Sequence, residues 1–209
     1  VARIIGYNNI ESKPIKISKK TDKIFDNIQN LKNYLIDNGF SEIINSPFTK
    51  KKEQQSVSID NPLDSNRNHF RTSLKESLID NLLYNERRQQ DSIKLFEISD
   101  IYYLEKEQIK SQKKLGIICS GRVGKNYKDF SKNIDVTYLK NILEKFIKEI
   151  TFDIKQIPRD DLDSKIKNPI AYVEFEINDH LKYNSKKNKV QKKLTKFNKY
   201  NPISEYPLS

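Results

Sequence analysis

Few residues in this chain have the type and spacing that catalysis or metal binding requires. There are two histidines, His69 and His180, and one cysteine, Cys119. One cysteine excludes a disulfide framework and any zinc site built on several thiolates. Cys119 sits in the apolar run Leu115–Ser120, which predicts a buried, inert thiol rather than a nucleophile. His69 falls in a polar stretch before a predicted helix and reads as a surface or capping residue. Ser, His and Asp are present, but no Gly-x-Ser-x-Gly elbow positions a serine for attack. Asp160, Asp161 and Asp163 lack the further oxygen donors of a calcium loop and read as a solvated turn. Gly121-Arg122-Val123-Gly124-Lys125 has the wrong glycine spacing for a phosphate loop, and no hydroxyl follows the lysine. It reads as a turn after a strand.

Composition narrows the classes further. The chain has 209 residues, of which 35% are apolar and 32% charged, enough for one substantial domain. No apolar run approaches the roughly 18 residues of a membrane span, and no signal peptide is evident, so a soluble, cytoplasmic chain without membrane contact is expected. The chain starts at Val1 and contains no methionine, which suggests a piece of something longer. Its net charge of +11 is concentrated between Leu181 and Tyr200, where eight lysines occur without an acid; the remainder carries only +3. One reading of this tract is a strip contacting phosphates, making the chain a stand-alone basic nucleic-acid-binding module. The other is a solvated connector. Only seven of the 39 basic residues are arginine, the residue that makes bidentate base and phosphate contacts, and this favours the connector.

Three helices and several strands must position whatever the chain does. In Thr21–Asn38, Ile24, Ile28, Leu31 and Leu35 draw one apolar stripe, and Gly39 supplies a helix stop. Phe25, Tyr34 and Ile36 give the same helix a second apolar edge. Phe40–Phe48 reads as a strand and Val57–Ile59 as a shorter one. Ser73 and Glu76 have capping-box spacing at the head of a helix reaching about Arg88. Ile93–Tyr103 and Leu115–Ser120 read as strands, rich in β-branched and apolar residues. Alternation puts Phe96 and Ile98 in the core and Glu97 on the opposite face. Val136 to Ile150 carries a third amphipathic helix, and Ala171–Ile177 alternates as a half-wet strand. This order lacks regular βαβ alternation and predicts an α+β fold with a largely antiparallel sheet.

Several segments in order resemble the β subunits of bacterial phenylalanyl-tRNA synthetase. Val1–Ile10 resembles the family's E-E-V-x-R-x-x-G-Y-D/N-x-I. Asn61-Pro62-Leu63 and Arg71-Thr72-Ser73-Leu74 match N-P-L and L-R-T-S-L. Leu95-Phe96-Glu97-Ile98 matches L-F-E-I-G, and Leu115–Gly121 matches L-A-G-L-x-S-G. Asp135–Leu143, Phe175-Glu176-Ile177 and Ile203-Ser204-x-Tyr206-Pro207 complete the series. The chain departs from the pattern at Ser99-Asp100, at Lys75-Glu76-Ser77, at Tyr127 and in a shortened segment between Pro158 and Ala171.

The resemblance implies an entry arm at 1–17, a class II aminoacyl-tRNA synthetase-like core at 18–200 and a hinge at 201–209. That core would be a six- or seven-stranded antiparallel sheet flanked by helices. It also implies a partner, the catalytic α subunit, in an α2β2 assembly that charges tRNA(Phe) using Mg and ATP. Neither cofactor is expected to bind this chain. The class II F-R-x-E motif aligns with Tyr102-Tyr103-Leu104-Glu105, putting Tyr103 where an arginine clamps the α-phosphate. A phenol supplies no fixed positive charge or bidentate fork. The glycine-rich motif of the catalytic core also has no counterpart, because no glycine follows Gly124. The resemblance therefore implies a non-catalytic domain without catalytic, cofactor or metal residues. Interface or structural roles fall to Ile28, Leu31, Leu35, Asn61, Pro62, Arg71, Phe96 and Glu97. Arg71, at a helix mouth where the dipole disfavours a cation, is expected to pair with Glu97, Asp64 or Glu76.

Overall fold

The computed structural model describes residues 23–64, 66–124, 132–148, 152–177 and 182–183, together with Arg3, Gly6 and Asn9. Three helices and nine strands are found among them. Helix α1 (Lys23–Asp37) is followed by β1 (Ser41–Glu42), β2 (Phe48–Thr49) and β3 (His69–Phe70). Helix α2 (Lys75–Glu86) leads into the long strands β4 (Ser92–Glu105) and β5 (Gln108–Gly121). Helix α3 (Val136–Phe146) runs directly into β6 (Ile147–Lys148), and β7 (Lys155–Ile157), β8 (Ile170–Glu176) and β9 (Lys182–Tyr183) complete the series.

The central sheet has five strands in the order β1-β4-β5-β8-β7. β1 runs parallel to β4 and the other pairs are antiparallel, so the sheet is mixed rather than wholly antiparallel. The pairs β2–β3 and β6–β9 form separate two-stranded ribbons.

Alternation along the buried strands produces two cores. On one face Phe96, Leu115, Ile117, Cys119 and Val173 pack against Leu31 and Leu35 of α1 and Leu139 and Leu143 of α3. Tyr34 joins those helices, stacking on Phe146 at 4.4 Å and donating its hydroxyl hydrogen to Ile142 O. On the other face Leu95, Ile118, Ile170 and Tyr172 pack against Leu74, just before α2, and against Leu78 and Leu82 within it. Gly116 allows this close approach: a Cβ there would lie 2.6 Å from Leu78 Cδ1. Gly121, with φ +96°, turns the chain where a Cβ would meet Asp91 O at 2.0 Å.

Local chemistry sets the helix ends. After α1, Gly39 has φ +81° and Phe40 N donates to Leu35 O, a Schellman closure of the exposed carbonyls. Asp135 caps α3 by accepting from Tyr138 N at 2.7 Å.

Several expectations need correction. Phe40–Phe48 is not one strand: β1 ends at Glu42, and β2 starts at Phe48 in a different sheet. Asn45 between them is held by Glu97, which accepts from its backbone and side-chain nitrogens. Val57–Ile59 reduces to an isolated bridge from Ser58 to His69. His69 is buried in β3, its Nδ1 3.2 Å from Ser58 Oγ, rather than a surface residue. The capping box does not form, because Ser73 and Glu76 bind other partners. The third helix stops at Phe146, and Ile147 begins a strand. Ile150 lies outside the described residues, as do 10–17, 201–209 and all of the lysine tract except β9.

Candidate functional site

Among the described residues the polar interior is concentrated around α2, in three networks that link it to the sheet. The first begins with Arg71, immediately after β3. Its backbone N donates to Pro47 O, and its own carbonyl accepts from Tyr102 N of β4. The guanidinium is thereby held beneath the first turn of α2, where it meets Glu97 on the α2 side of β4. Nη2 lies 2.5 Å from Glu97 Oε1 and Nη1 lies 3.2 Å from Oε2, a bidentate fork. Nη1 also donates to Ser77 Oγ of α2 at 3.0 Å. Arg71 is 5% exposed and Glu97 1%.

Burial at that level costs several kcal/mol per ion unless the remaining polar atoms are satisfied. Glu97 meets this condition by accepting also from Asn45 N and Asn45 Nδ2, whereas Arg71 leaves its buried Nε without a hydrogen-bond partner among the described residues. Asn81 Nδ2 of α2 donates to Asn45 Oδ1 at 2.7 Å. The network therefore joins the segment between β1 and β2, the end of β3, α2 and β4.

Beside it lies an open cleft of about 550 Å³, whose wall includes Arg71, Thr49, Lys50, Arg67, Glu76 and Asp80. Thr49 Oγ1 donates across it to Glu76 Oε2. Burial, reinforced by Glu76, raises the Asp80 pKa above its ordinary value, while Lys50, Arg67 and Arg87 act in the opposite direction. A rim of both signs has no single charge preference for an anion or a cation. Among the described residues no cluster of three His, Cys, Asp or Glu could hold a metal ion.

The second network centres on Glu174 of β8. It accepts from Ser73 Oγ at 2.6 Å, Leu74 N at 3.1 Å and the Tyr172 hydroxyl, and its Oε1 lies 3.0 Å from Lys114 Nζ. Burial pushes its pKa up, but the hydrogen bonds from Ser73, Tyr172 and Lys114 outweigh that and leave it depressed. Tyr172 shifts strongly upward, through burial first and the adjacent Glu174 charge second. Glu174 thus caps α2 from across the sheet.

The third network fixes the other end of α2. Arg159 forks onto Glu86, with Nη2 2.7 Å from Oε1 and Nη1 3.1 Å from Oε2, and also donates to Ser120 Oγ. Ser164 Oγ donates to the same carboxylate. No local sequence pattern marks Arg159, because its partners come from α2, β5 and the loop before β8.

Of the eight residues singled out in the sequence, the structure brings Arg71 and Glu97 into direct contact. Phe96 is fully buried on the opposite face of β4, among the residues packed by α1 and α3. Leu31 and Leu35 are fully enclosed there, and Ile28 packs half-buried beside them. Among the described side chains of α1 the exposed apolar ones are Phe25 and Ile36, whose eleven-residue spacing places them on one stripe. Asn61 is exposed and Pro62 half-buried, in the loop before β3. Tyr103 lies opposite Lys110 in the β4–β5 hairpin and packs against the α2-side apolar cluster. Cys119 is fully buried, its thiol pushed up to about 12 mainly by burial.

Comparison with known proteins places these features in context. A family model described as the phenylalanyl tRNA synthetase beta chain CLM domain matches residues 12–182. A phenylalanine–tRNA ligase beta subunit from Photorhabdus laumondii subsp. laumondii is 30% identical over 172 residues, covering 75% of this chain and 21% of that protein. One from Mycoplasma capricolum subsp. capricolum is 33% identical over 172 residues, with the same coverage. The chain spans about a fifth of the length of these curated relatives. Among solved structures, a pyrrolysyl tRNA synthetase from Desulfitobacterium hafniense superposes with a TM-score of 0.54 at 15% identity, over 77% of this chain and 66% of that one. At that identity the likeness concerns the fold alone.

Proposed function

The chain belongs to the phenylalanyl tRNA synthetase beta-chain family, and from that premise we propose that it is a non-catalytic, class II synthetase-like domain that scaffolds the catalytic α subunit of phenylalanine–tRNA ligase. In this reading the α subunit, within a cytoplasmic α2β2 assembly, activates phenylalanine with Mg and ATP and charges tRNA(Phe). The observation that carries the reading is the packing around Tyr103. At the position aligned with the phosphate-clamping arginine, a half-buried tyrosine ring packs against an apolar cluster that includes Leu78 and Leu82 of α2. These residues do not fit a nucleotide clamp, which needs a fixed positive charge facing solvent-accessible space. Nearby Arg71 is already engaged by Glu97.

Docking would use surface left over after the domain has formed its own core. Leu31 and Leu35 are consumed internally, so the stripe through Phe25 and Ile36, which are 60% and 51% exposed, is the part of α1 available to a partner. The test is co-expression with a phenylalanine–tRNA ligase α subunit followed by size-exclusion chromatography. Co-elution is expected, together with its loss in a Phe25→Asp/Ile36→Asp variant that melts like wild type. Failure of the wild-type chain to co-elute would overturn the scaffold reading. Phenylalanine-dependent ATP–pyrophosphate exchange by the chain without α would overturn the non-catalytic one.

A further inference from the structure

We draw no further inference here: the strongest candidate, the exposed Leu104–Ile109 pair directly opposite one another near the tip of the β4–β5 hairpin, is an unpartnered apolar face, and nothing among the described residues shows what covers it.

Discussion

Glu174 accepts a hydrogen bond from Ser73 Oγ at 2.6 Å although the two residues lie 101 positions apart. The same carboxylate accepts from Leu74 N, just before the first turn of α2. A strand residue therefore performs the task that sequence spacing assigned to Glu76. The arrangement ties the start of the helix to a specific register of β8, which a box formed within the helix would not do.

This contact makes stability dependent on acid. Because the folded-state pKa of Glu174 is depressed, its contribution is present in full above the ordinary value of 4.5 and lost as pH falls through the folded value. Glu174→Gln should cost about 1.5–3 kcal/mol at pH 7, the range for hydrogen bonds to a charged group. The difference from wild type should shrink as the pH drops below 4.5. Urea denaturation across that pH series checks both expectations, and a difference that stayed constant would refute the linkage.

The Arg71–Glu97 pair should behave as a buried ion pair whose loss exposes the survivor. Arg71→Ala should destabilise by about 3–5 kcal/mol, because it leaves an uncompensated carboxylate inside the domain. Arg71→Lys should also destabilise, since one ammonium cannot reproduce the fork to both oxygens. Replacing the pair together, as Arg71→Met/Glu97→Leu, should cost less than the sum of Arg71→Met and Glu97→Leu measured separately. A double-mutant cycle by chemical denaturation provides the comparison; strict additivity would mean the residues do not interact.

Cys119 should be a reporter of unfolding rather than a reactive group. With the thiol pushed up to about 12 and enclosed, the thiolate needed for disulfide exchange is almost absent at neutral pH. Labelling by an aromatic disulfide reagent should be negligible in the native protein and become rapid in denaturant. Fast labelling without denaturant would show that the strand opens locally.

The β4–β5 turn should be improvable. Lys106 and Glu107 adopt φ values of 48° and 63°, left-handed conformations disfavoured for residues with a Cβ. Lys106→Asn/Glu107→Gly supplies residues suited to this two-residue turn. Thermal unfolding should show a gain of about 1 kcal/mol. No gain would indicate that Gly flexibility in the unfolded chain offsets the relief.

The contrast between legible and illegible features follows the range of the interactions that set them. Leu31, Leu35 and Gly39 defined α1 because apolar spacing and a left-handed stop are local. The alternation of Phe96 and Glu97 is likewise legible, because a strand's period is a backbone property. Three other features depended on distant chain. Asn45 is drawn out of strand geometry by Glu97, and Ser73 is claimed by Glu174. The first half of β5, Gln108 to Lys114, is polar except for Ile109 and acquires strand structure by pairing with β4 across a turn lacking glycine or asparagine. The same division held at the candidate site. Arg71 was legible as needing a carboxylate, whereas Asn45, Asn81 and Arg159 acquire their roles through tertiary placement.

Gly116 has a mechanical consequence. Leu78 and Leu74 of the α2 segment rest against the bare Cα of β5, so this glycine fixes the height of the helix above the sheet. The helix is fastened near its start by Ser77 to Arg71 and Ser73 to Glu174, and at its end by Glu86 to Arg159. A spacer inserted beneath this first turn would load the Ser77–Arg71 and Ser73–Glu174 fastenings directly, like a wedge driven under the clamped end of a beam. A position without a side chain therefore sets the tolerance for the bonded groups at the head of the helix.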